Sequence, residues 1–104
     1  MTKLIHPVVH CDTMADVRRH IDALDTRIVA LMAERSGYVA QAARIKKNAS
    51  EVHDQARIEF IVERVKAMAA EQGAPEAVVE AAYRAMIDAF IAFERAEFQR
   101  LARD

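Results

Sequence analysis

Residues 13–48 read TMADVRRHIDALDTRIVALMAERSGYVAQAARIKKN. Val17, Ile21, Leu24, Ile28, Leu31, Arg35, Tyr38, Ala42 and Ile45 recur in this stretch at alternating spacings of four and three. That is the period of one helix face, kept for about four heptads. Thr13 followed by Asp16 reads as a capping box, so the helix is predicted to begin there and to run to about Asn48. Ser36-Gly37 is the only interior weakness, costing about 1 kcal/mol against Ala, and it suggests a close helix contact. At 1.5 Å per residue the helix is about 50 Å long, whereas a compact monomer of this size has a radius of gyration of about 13 Å.

The rest of the chain is shorter in its elements. Asn48 to His53 is predicted as a polar loop, and Asp54 as the cap of a second helix with an apolar face of Ile58, Ile61, Val62, Val65, Met68 and Ala69. Gly73 ends that helix and Pro75 opens a third, expected to bury Val79, Tyr83, Met86, Ile87, Phe90, Phe98 and Leu101. Two such helices cannot cover the long seam. A second copy of the chain is expected to cover the remainder, by antiparallel pairing of the long helices; a rod bridging domains of a larger assembly is the alternative.

Composition agrees. The 104 residues hold only two Gly and two Pro, too few for a turn-rich β fold, and 53% are apolar, enough for one core. A net charge of −1 with both signs interspersed argues against nucleic acid as a partner. The N-terminal stretch Met1–His10 carries Lys3 but no sustained apolar run, and nothing approaches a membrane span, so a cytoplasmic protein is expected. Residues 1–12 are read as a tail and 13–104 as the helical domain. Cys11, the single cysteine, has no internal disulfide partner. His6, His10, His20 and His53 show no metal-ligand spacing with Asp or Glu, so no metal is expected.

Two charged residues stand where the pattern wants apolar ones. Arg35 sits between Leu31 and Tyr38, and Glu94 between Phe90 and Phe98. A buried charge must be paired or bind something. One reading is a structural ion pair, Arg35 with Glu94. The other starts from Lys46, three turns beyond Arg35 and within about 20° of the same face, and from Arg57 at the start of the second helix. Three cations exceed what Glu94 neutralises, and such a cluster suits a small dicarboxylate gripped by Arg forks. Arg18 flanks the seam about 42 Å from Lys46 along one helix, so it can share that ligand only from a second copy.

At these residues the chain resembles the all-helical (class II) chorismate mutases and their relatives, the isochorismate-pyruvate lyases. The resemblance runs through Arg18-x-x-Ile21-Asp22-x-Leu24-Asp25, Glu34-Arg35, Lys46 and Val52 to Arg57, and covers residues 14 to about 98. It implies an all-α, intertwined homodimer of three-helix chains, one helix very long, with two equivalent active sites and no cofactor. It further implies that Arg18 from the partner and Arg35 hold the substrate's two carboxylates. Lys46 would donate to a carboxylate and to the ether oxygen of the breaking bond, while Asp54 and Arg57 approach the ring hydroxyl. Two positions depart from the mutase pattern, and a third, Phe90, departs from that of some mutases. Ile58 stands in place of a glutamate, as an apolar residue does in the lyases; Glu94 replaces a glutamine that donates to the ether oxygen; and Phe90 replaces a small polar residue. Expected activities are conversion of chorismate to prephenate, or alternatively a lyase or mutase acting on isochorismate or a related enolpyruvyl substrate. A non-catalytic helical interaction module is the remaining alternative.

Overall fold

A computed structural model of the chain describes residues 8–103; Lys3 and His6, and most of the N-terminal stretch read above, lie outside them. The architecture is all-α, with helices α1 (Met14–Ile45), α2 (Gln55–Gln72) and α3 (Glu76–Arg103). Each boundary has a local chemical cause. Thr13 is extended and its hydroxyl accepts the Asp16 N–H at 3.1 Å, satisfying a donor that the first turn leaves open. The other half of the expected box is not used in that way, since the Asp16 carboxylate turns to Arg19 at 2.9 Å.

The first helix stops at Ile45, three residues short of Asn48. Glu51 explains the difference. Its Oε2 accepts the N–H of Lys47 at 3.0 Å and of Asn48 at 2.8 Å, offering the backbone a partner that competes with the helix ladder. The predicted loop therefore holds a single 3₁₀ turn, Ala49–Glu51, anchored by Val52, which is 4% exposed. Asp54 caps α2 by accepting the Arg57 N–H at 3.0 Å. Gly73 closes α2 at φ 73, where a side chain would be strained, and Ala74 donates back to the Ala69 carbonyl at 2.8 Å. The Pro75 carbonyl then accepts from Val78 and Val79, starting α3.

α3 lies against both α2 and α1. The centre of the core is Ile58, Val62 and Ile87, with Ile61 and Ile91 packed on it. Arg84 ties α3 to α2 from outside, reaching Glu59 at 3.2 Å and Glu80 at 3.1 Å. Its hydrogen bonds hold both carboxyls below the ordinary carboxylate range, and Glu59 and Glu80 in turn raise Arg84.

Burial differs from expectation along α3 and at Gly37. Of the predicted α3 face only Ile87 is buried in the single chain; Val79, Tyr83, Met86, Phe90, Phe98 and Leu101 are half-buried, and Met68 of α2 is exposed. The reason is that α3 divides its surface between α1 and α2 and extends past both contacts. Gly37 makes no close contact, for a Cβ there would meet nothing within 4 Å. Ser36 beside it donates to the Met32 carbonyl at 2.8 Å and leaves α1 continuous.

The molecule is 55 × 29 × 18 Å with a radius of gyration of 17.2 Å, well above the value of about 13 Å for a compact domain of this length. Its α1 seam is largely bare. Ile21, Leu24 and Ile28 are about half exposed, Leu31 and Tyr38 more so, and Ala43 is the one α1 residue that the described chain buries.

Candidate active site

The C-terminal third of α1, the 3₁₀ turn, the start of α2 and the middle of α3 enclose a cleft of about 480 Å³. Arg35, Lys46, Asp54, Arg57, Ile58, Phe90 and Glu94 all line it. Arg18 does not: it is exposed near the far end of α1.

Glu94 is only 7% exposed, deep for a carboxylate, and its partner is Lys46, whose Nζ lies 2.5 Å from Glu94 Oε2. The structural pair of Arg35 with Glu94 is therefore not what forms. Lys46 is the C-cap of α1, extended at φ −63 and ψ 143. That ending frees its long stem to reach across to α3. Arg35 lies three turns earlier, and its Cζ sits 4.7 Å from the centroid of the Phe90 ring. Phe93 meets Phe90 edge-on, with centroids 6.3 Å apart and planes at 81°. The Arg57 guanidinium similarly lies over Phe60, at 5.2 Å.

The charge count also needs correction. Glu51 and Asp54 line the cleft as well, so its formal charges balance, and the simple excess of positive charge expected from sequence is absent. What the cleft has instead is an asymmetry of use. Glu51 and Asp54 spend carboxylate oxygens on backbone N–H groups, and Glu94 is engaged by Lys46. Arg35 and Arg57 form no ion pair among the described residues. Arg35, over the cleft residue Phe90, and Arg57, whose guanidinium lies over Phe60 outside the cleft lining, thus border a cleft whose remaining wall is apolar, built from Ile58, Ile61, Ile87 and Ile91. Such a place can hold a small anion with an apolar ring.

Residues 17–95 match the family model described as chorismate mutase type II. The chain belongs to this family. No curated protein matches it in sequence. The all-α, three-helix architecture agrees with the expectation from sequence for a member of this family. Glu51 and Tyr38 are cleft residues that sequence reading missed. Glu51 had a signal, since Asn48-x-x-Glu51 has the spacing of a capping box; Tyr38 was read only as seam.

A second groove, of about 840 Å³, runs between Val8–Cys11 and the first turns of α1, lined by Val17, Ile21 and Leu24 among others. It is larger than the cleft but lacks opposed charges drawn from different helices. Among the described residues no group of three His, Cys, Asp or Glu is placed to hold a metal ion, and no helix is long and apolar enough to cross a membrane.

Proposed function

We propose that the protein is a chorismate mutase, a cytoplasmic homodimer that rearranges chorismate to prephenate in aromatic amino acid synthesis, with residues 13–104 as the catalytic unit and 1–12 as a tail. The observation that carries this reading is the pair of Lys46 with the buried Glu94 in a cleft whose arginines have no carboxylate of their own among the described residues. The reaction breaks an ether C–O bond and makes a C–C bond within one molecule, with no nucleophile and no obligatory proton transfer. A protein accelerates it by holding the enolpyruvyl arm over the ring and by stabilising negative charge that grows on the ether oxygen.

Arg35 grips one carboxylate and Arg18 of a second copy grips the other. Antiparallel pairing of two α1 helices is the arrangement that carries Arg18 the necessary distance of about 42 Å, and the bare seam of Ile21, Leu24, Ile28 and Leu31 supports such pairing. Lys46 has three N–H donors, enough to keep Glu94 and still reach the ether oxygen. Glu94 assists only when protonated, because an ionised carboxylate accepts and does not donate. Asp54 and Arg57 stand at the ring-hydroxyl side, and Phe90 closes the wall.

Ile58 favours a second reading. It is 9% exposed and gives the cleft an apolar surface where a mutase of this family offers a glutamate to the ring hydroxyl. An isochorismate-pyruvate lyase, yielding salicylate and pyruvate, uses the same carboxylate grip and the same ether-oxygen donors. Incubating the purified protein separately with chorismate and isochorismate decides the matter. Prephenate from chorismate supports the proposal, salicylate from isochorismate selects the lyase, and no turnover of either leaves a helical interaction module.

A further inference from the structure

Arg35 is half-buried, carries several rotatable bonds and meets no carboxylate among the described residues. What it does meet is the face of Phe90, at 4.7 Å, well inside the separation of about 6 Å at which an aromatic ring attracts a cation. Phe90 is itself braced, by the edge of Phe93 three residues further along α3. A ring is an unusual support for a ligand-binding cation, and it has one chemical advantage. The N–H donors of a guanidinium lie in its plane, so a π face can hold the group without occupying a donor. A carboxylate in the same place would pair with Arg35 and compete with the incoming anion.

We propose that Phe90 is a positioning residue, a platform that fixes the Arg35 guanidinium in the empty cleft and leaves its fork open to a substrate carboxylate. This rests on the reading of Arg35 as a carboxylate grip. Phe90 acts through Arg35 and need not touch the substrate. Its position one turn before Glu94 on α3 then links two parts of the site, because the same helix that supports the grip also presents the partner of Lys46.

The test has a spectroscopic arm that needs no substrate. In the ligand-free protein the ring current of Phe90 should move the Arg35 δ-methylene and Nε–H resonances away from their ordinary shifts. Phe90→Leu should return them toward those shifts, and Phe90→Tyr should not. If Phe90→Leu leaves them where they were, the platform is excluded. The kinetic arm uses whichever enolpyruvyl substrate the wild type turns over. Phe90→Leu should raise KM about three- to tenfold while kcat stays within about twofold, and Phe90→Tyr should restore KM. In an Arg35→Gln background, which removes the cation that the ring supports, the Phe90→Leu penalty should largely disappear. A penalty that persists there means that Phe90 contacts the substrate directly, which overturns the proposal. Should the wild type turn over neither substrate, the catalytic reading fails visibly on its own, and the resonances still decide for or against the platform.

Discussion

The two halves of α1 are built from the same kind of sequence and have opposite fates. From Arg35 to Ile45 the helix runs beside α3, Ala43 is buried, and Arg35 and Lys46 face a cleft. From Met14 to Leu31 it carries an equally apolar seam with almost nothing upon it. Propensity and the Thr13 cap define both halves, but a bare helix of this length is only marginally stable in water, so burial must come from elsewhere for one of them. The comparison teaches that an amphipathic pattern specifies that a face will be covered and leaves open by which chain. Of the candidate site residues that α1 carries, the finished half holds Arg35 and, at its cap, Lys46, and the bare half holds Arg18.

The largest expected effect falls on the finished half. Lys46→Ala should lower kcat/KM by about three orders of magnitude or more. It also leaves Glu94 buried without a cation, at a cost of roughly 1–3 kcal/mol that thermal unfolding should show. Retained turnover would mean that the chemistry lies elsewhere. The bare half is tested by mixing. Arg18→Ala and Lys46→Ala proteins, each nearly inactive, should on subunit exchange recover about a quarter of wild-type activity, because half the pairs are mixed and each has one intact site of two. Absence of recovery after proven exchange breaks the shared-site account.

Ile28→Glu sharpens the contrast further. It should turn a two-chain particle into single chains in equilibrium sedimentation at micromolar concentration, whereas Val62→Ala, in the α2–α3 core, should cost about 2 kcal/mol of stability and leave the assembly intact. Glu94→Gln, a permanent donor of similar shape, should keep kcat at or above the wild-type value. A loss of tenfold or more would make Glu94 the anionic partner of Lys46 and not a donor to the ether oxygen. The smallest effect belongs to the Arg84 clasp. Glu59 and Glu80 have carboxyls lowered by Arg84, so their contribution is present above the ordinary carboxylate pKa and is lost as pH falls through the lowered values. Both are exposed and salt screens them, so Arg84→Met should only slightly flatten the acid limb of a stability profile.

What sequence made legible was mostly what depends on neighbours in the chain. Thr13, Asp54 and Gly73 act on backbone groups within a few residues, and all three occupy the caps expected of them. Arg35 and Glu94 were found as polar breaks in apolar faces and Lys46 by its spacing of three turns from Arg35, signals that survive any detail of packing. Their pairing was not legible, because it depends on where α3 crosses α1 and on the backbone turn at Lys46, neither written in a helical period. In the single chain α3 serves two neighbours, which gives it two partial faces and no single stripe. Gly37 has open space about it in its own chain, so a close approach there is a matter for whatever covers α1.

The turn at Gly73 and Pro75 has a consequence for how the chain comes to be folded. It joins α2 to α3 through very few residues, and closing so short a loop takes on the order of 10–100 ns. The contacts between α2 and α3, from Lys66 with Glu80 to the cluster of Val62 and Ile87, thus close across a short turn at little cost in lost entropy, and they can form while the start of α1 is still searching. The long helix is made before α2 and α3 yet has the least to gain from its own chain. In the proposed dimer its completion depends on meeting another molecule, which makes the final step of folding bimolecular. The yield of finished active sites should therefore depend on how much of the protein is present, as well as on how stable each copy is.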